Sequence, residues 1–94
     1  MLNTNIDAFR EEIMLVIRSF DCEEEDFTHY FSCSGGKFFN SIEFEGKFYD
    51  FEEEYKAEND LVFKRLAKRA VKLAFYKVLS NAKGLTLPWG ALTG

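Results

Sequence analysis

The sequence predicts an α+β fold in two layers: a three-stranded antiparallel meander packed on two helices, with residues 1–5 as a short fourth strand. Three observations carry this. Apolar residues recur at helical spacing in 6–20 and again in 60–82. Between them, residues 27–53 alternate with a period of two. Two glycine turns, at Gly35-Gly36 and Glu45-Gly46, divide that alternation into three strands.

In the first helix, Phe9, Ile13, Val16, Ile17 and Phe20 fall on one face. Thr4 and Asp7 stand at capping-box spacing before it. The acidic run 21–26 breaks the pattern. Pairing across Gly35-Gly36 sets Cys33 opposite Phe38, Phe31 opposite Asn40, His29 opposite Ile42 and Phe27 opposite Phe44. The second turn sets Phe44 opposite Lys47, Ile42 opposite Tyr49 and Asn40 opposite Phe51. Both hairpins therefore select one apolar face: Phe27, Phe31, Cys33, Phe38, Ile42, Phe44, Tyr49 and Phe51. A one-residue slip would turn a strand's side chains to the other face, so this agreement supports strands at 27–33, 38–44 and 47–53.

Asn59 or Asp60 can cap the second helix, and Lys83-Gly84 can end it. Its first half has a core stripe of Val62, Phe63, Leu66, Ala67 and Ala70, opposite basic residues. In its second half Leu73, Phe75, Tyr76, Val78 and Leu79 spread almost around the axis. A helix apolar on all sides is buried on all sides. One sheet and one short helix leave part of this surface uncovered, which predicts a further partner.

With 94 residues, 47% of them hydrophobic, the chain has material for one modest core. A domain near this size buries roughly 60–65% of its unfolded surface. No apolar run approaches the ~18–20 residues of a membrane span, and no basic start precedes an apolar run, so a cytoplasmic location is expected. Cys22 and Cys33 form no C-x-x-C, and one histidine does not complete a zinc site with them. They are expected as thiols in a reducing compartment.

The net charge of −4 conceals a split. Residues 1–60 carry 16 acidic and 5 basic side chains, a balance of −11; residues 61–94 carry 7 basic and none acidic, a balance of +7. Lys64, Arg65, Lys68, Arg69 and Lys72 share one broad helix face. Such a stripe can meet nucleic-acid phosphates or a protein partner. The acidic remainder of the chain argues instead for a solvated or interdomain face. Ser34-Gly35-Gly36-Lys37 joins two strands and lacks the phosphate-loop pattern. His29 has no nucleophile or ligand near it in sequence and is placed at the sheet's rim. The acidic runs lack EF-hand spacing. No catalytic constellation emerges.

The segment KRAVKLAFYKVLSNAKGLTLPWGALTG, residues 68–94, resembles oxygen-independent coproporphyrinogen III oxidase-like radical SAM proteins, in the anaerobic coproporphyrinogen dehydrogenase branch. The matching residues are Lys68, Arg69, Lys72, Tyr76, Leu79, Ser80, Leu87, Pro88, Trp89, Gly90, Leu92, Thr93 and Gly94. They cover about the last third of the chain. In that family Leu-Pro-Trp-Gly-x-Leu-Thr-Gly runs on into Ile-Arg-Pro before the radical SAM core. The resemblance implies an accessory domain at 1–84 and, at 85–94, the start of a linker into a catalytic domain. It implies S-adenosylmethionine and a [4Fe–4S] cluster for the parent and neither for this segment. The cluster ligands there form C-x-x-x-C-x-x-C, a spacing that Cys22 and Cys33 do not have. Phe75, Tyr76, Leu79, Leu87, Pro88, Trp89 and Leu92 are then the expected contacts to the catalytic domain. Without that domain the segment is expected either to self-associate through helix 60–82 and the 85–94 tail, or to have a tail that folds back or stays mobile.

Overall fold

The structure, a computed structural model, describes residues 3–4 and 9–84. The elements run β1 (Asn3–Thr4), α1 (Arg10–Ser19), a 3-10 turn (Glu24–Asp26), β2 (Phe27–Ser34), β3 (Lys37–Phe44), β4 (Lys47–Glu54) and α2 (Asp60–Lys83). The sheet has the order β1-β2-β3-β4. Three strands form the antiparallel meander. The two-residue β1 adds in parallel, Asn3 beside Thr28 and Thr4 beside His29. The fold is α+β, as the periodicities predict.

The register is the one that the apolar face demands. Phe27 pairs with Phe44, His29 with Ile42, Phe31 with Asn40 and Cys33 with Phe38. Across the second turn Phe44 pairs with Lys47, Ile42 with Tyr49 and Asn40 with Phe51. Phe27, Phe31, Phe38, Ile42 and Phe44 are buried, while Tyr49 and Phe51 on edge strand β4 are half-covered. Cys33 departs from the expected face burial. It lies one residue from the end of β2 and is exposed. Cys22 is half-buried, and neither cysteine is in a disulfide.

Helix α1 begins at Arg10, four residues later than its periodicity suggests, with Phe9 as N-cap and no side-chain capping bond. Thr4, half of the expected capping box, belongs to β1; Asp7 lies outside the described residues. Ile13, Val16 and Ile17 face inward. Helix α2 is capped as its sequence suggests. Asn59 Oδ1 accepts a bond from Val62 N at 3.0 Å, and Gly84 at φ 67° returns its N–H to the last turn.

The core joins both helices to one face of the sheet. Phe27 stacks on Phe44 at 4.4 Å between centroids and meets Phe75 at 5.5 Å. Ala67, Ala70, Val71, Ala74, Phe75, Val78 and Leu79 of α2 are all buried in the same cluster as Ile13 and Ile17. Small residues at 67, 70 and 74 let α2 lie close against its neighbours. Burial of each large apolar side chain is worth about 1.5–3 kcal/mol.

This corrects the expectation that the second half of α2 awaits an outside partner. Phe75 and Leu79 are 0% exposed in the chain's own core and are not available as interdomain contacts. The reason is geometric: α1 and the meander flank α2 from two directions, a concavity that a count of elements does not reveal. Tyr76 is half-buried, its ring 5.8 Å from Phe20. Leu87, Pro88, Trp89 and Leu92 lie outside the described residues.

Candidate functional site

The most distinctive surface is the outward face of α2's first three turns. The Asn59 cap fixes where the helix starts. Val62, Phe63 and Leu66 are then half-covered, and Ala67, Ala70 and Val71 turn inward. The same periodicity turns Lys64, Arg65, Lys68 and Arg69 outward, and all four are exposed. Lys72, one turn further, is half-covered and reaches Glu12 of α1, Nζ to Oε2 at 3.7 Å. Among the described residues, the other four make no ion pair or side-chain hydrogen bond. The sequence brings the five together, and the structure separates them into one tethered and four open cations.

An aromatic clamp holds this end of α2 to the sheet. Tyr55 stacks on Phe38 at 4.0 Å and meets the edge of Phe63 at 5.6 Å. Phe38 meets Phe63 at 5.7 Å. The Tyr55 N–H donates to the carbonyl of Gly36 at 2.9 Å, tying the β4–α2 link to the first hairpin turn. Partial desolvation, and to a lesser extent the adjacent Cys33 thiol, raise the Tyr55 phenol above its usual pKa. Beside the clamp runs an open groove of about 560 Å³ lined by Phe9, Phe31, Ser32, Cys33, Phe63, Lys64 and Lys68. Lys64 and Lys68 thus edge an apolar groove as well as the charged face.

A second site is internal. His29 is 2% exposed, not at the rim as its sequence context suggests, and Asn40 is 3% exposed. His29 Nε2 and Asn40 Oδ1 are 2.8 Å apart. An amide oxygen only accepts, so in this contact Nε2 carries a proton and donates it to Asn40 Oδ1. The ring also meets Phe75 edge-on at 5.1 Å. Burial pushes the imidazole below its usual pKa, and the Asn40 bond opposes that in part. The sequence carries a signal for this pair. Alternation places Asn40 on the core face, where an amide needs a partner, and the paired register makes His29 its diagonal neighbour. With its hydrogen bond made inside an apolar shell, the pair acts as a structural polar contact.

Among the described residues no group of three or more His, Cys, Asp or Glu side chains could hold a metal ion. No helix among them is long and apolar enough to cross a membrane. Comparison with protein-family models, with curated proteins and with solved structures gives no match for this chain.

Proposed function

We propose that this chain is a non-catalytic N-terminal accessory domain of a radical SAM coproporphyrinogen III oxidase- or dehydrogenase-like protein of heme biosynthesis, acting in the cytoplasm. One observation carries the reading: where the Leu-Pro-Trp-Gly part of the resembling segment falls relative to the end of α2. Helix α2 closes at Lys83 with Gly84 in the left-handed conformation. Leu87-Pro88-Trp89-Gly90-x-Leu92-Thr93-Gly94 comes within three residues of that cap. The reading is supported by this order: the last described helix ends just ahead of the segment that resembles the family's passage into its catalytic core.

The cluster and S-adenosylmethionine belong, on this reading, to the next domain along the chain. Cys22 and Cys33 do not fit them: they are eleven residues apart, one half-buried and one exposed. With Phe75 and Leu79 committed to the core, contact with the catalytic domain falls to Tyr76, Leu87, Pro88, Trp89 and Leu92. The test is the coding sequence beyond Gly94. Ile-Arg-Pro and then C-x-x-x-C-x-x-C is the expected continuation. A stop codon, or an unrelated domain, overturns the proposal.

A further inference from the structure

We infer that the free edge of β4 takes up a further strand: an extended partner peptide whose alternate side chains are basic. The first ground is the backbone. β4 ends the sheet order, and its register with β3 is continuous from Lys47 to Glu54, with no bulge and no proline. Phe44 and Lys47 close a two-residue turn at one end, and at the other the Tyr55 N–H donates to the Gly36 carbonyl at 2.9 Å. Both ends therefore turn the backbone groups of Lys47, Tyr49, Phe51 and Glu53 toward β3. The N–H and C=O groups of Phe48, Asp50, Glu52 and Glu54 point the other way, and among the described residues no backbone group bonds to them. The opposite edge strand, β1, has only two residues. β4 is therefore the long open template of this sheet.

The second ground is charge, and it selects the occupant. β4 carries Asp50, Glu52, Glu53 and Glu54 against Lys47 alone, a balance of −3, and all five are exposed. Lys37 reaches Glu52 at 3.0 Å, and the Ser41 hydroxyl donates to Asp50 at 2.6 Å. Glu53 and Glu54 are in no ion pair among the described residues. A second copy of β4 would have to pair through the same four edge residues, which sets Asp50 or Glu52 opposite an acid of its partner. Nucleic-acid phosphates meet the same repulsion. A basic strand meets attraction instead, and a lysine or arginine stem can cover the Phe48 ring, which is 76% exposed.

The third ground is the contrast between the two sides of the edge, which sets the partner's pattern. On the side away from the helices stand Phe48, Asp50, Glu52 and Glu54. On the helix side Tyr49 and Phe51 are half-covered, and Lys77 lies over the Phe51 ring, 5.4 Å from its centroid. The partner's cations therefore belong on the outward side, and its apolar side chains beside Tyr49 and Phe51. That is a period of two, the pattern of a strand. Backbone bonds along the edge supply affinity, and the alternate side chains supply selectivity.

The 94-residue chain should be titrated into a labelled peptide of alternating Lys and Val, matched to the eight residues of β4, and read by fluorescence anisotropy at ~50 mM salt. Exposed charge pairs of modest strength predict that a Glu-Val counterpart binds at least about tenfold more weakly. The Asp50→Asn/Glu54→Gln variant should weaken the Lys-Val peptide about fivefold, with an unchanged circular dichroism spectrum, since both residues are exposed. Two further measurements separate strand addition from charge attraction alone. Amide exchange at Phe48, Asp50, Glu52 and Glu54 should slow at least about tenfold in the complex. N-methylation of one alternate set of peptide amides should abolish binding and that of the other set should leave it, because only one set faces β4. No binding at this salt, equal affinity for the Glu-Val peptide, an unchanged affinity in the double variant, equal effects of the two methylation sets, or binding without slowed exchange at the four amides overturns the inference. None of these results depends on the coding sequence beyond Gly94.

Discussion

His29 is the chain's one histidine, and its burial makes it a pH reporter. In the unfolded chain the ring takes a proton near pH 6.5. In the folded chain burial holds its pKa lower. Below about pH 6.5 the unfolded state binds the proton first, so stability present at neutral pH is lost as pH falls through the folded pKa. Urea midpoints should therefore drop between about pH 7 and pH 5. His29→Gln should flatten the histidine part of that drop, whatever its effect on absolute stability. A midpoint difference between the two proteins that stays constant across this range would contradict the assignment. Phe75 supplies a second residue-scale test. It touches Phe27 and His29 in the core, so Phe75→Ala should cost about 3–5 kcal/mol of folding stability. Were it an interdomain contact, the isolated chain would lose almost nothing.

At the scale of elements, the strands are legible in the sequence because two hairpins have to agree. Each register is independently constrained, and only one choice puts Phe27, Phe31, Phe38, Ile42 and Phe44 together. Helix α2 is legible at both ends because Asn59 and Asp60 both offer a capping side chain at its start and Gly84 takes the left-handed conformation that ends it. Asn59→Ala should remove the bond to Val62 N and cost about 1 kcal/mol, measurable by thermal or urea unfolding. A loss below a few tenths would mean that water replaces the cap. The start of α1 is not legible: no side chain caps it, so its boundary is set by packing of Phe9 against Phe31, 5.4 Å away. The His29–Asn40 bond is legible only through the strand register. Each residue is ambiguous alone, and only the diagonal between two strands joins them. Of the candidate site, the sequence shows the five cations but not that Glu12 removes Lys72 from the open set.

At the scale of the molecule, both helices cover one sheet face and leave the other to water, where Tyr30 and Phe48 are 59% and 76% exposed. The shared core spans residues from Phe9 to Leu79, so the chain has to bring distant segments together to fold. The two hairpin turns bear on when that happens. Both have positive φ at each central residue: Gly35 at 58° and Gly36 at 75°, Glu45 at 53° and Gly46 at 78°. Glycine adopts that conformation freely, whereas Glu45, with a Cβ, carries about 1–2 kcal/mol of strain there. On this strain the first hairpin is expected to close first, with β4 joining a pair already formed. Glu45→Asn should relieve part of the strain and add about 0.5–1 kcal/mol. If β4 docks after the rate-limiting step, stopped-flow measurements will find that gain almost wholly as slower unfolding, with the folding rate unchanged. A faster folding rate would instead place the second turn in the nucleus, and reverse the order in which this small sheet is assembled.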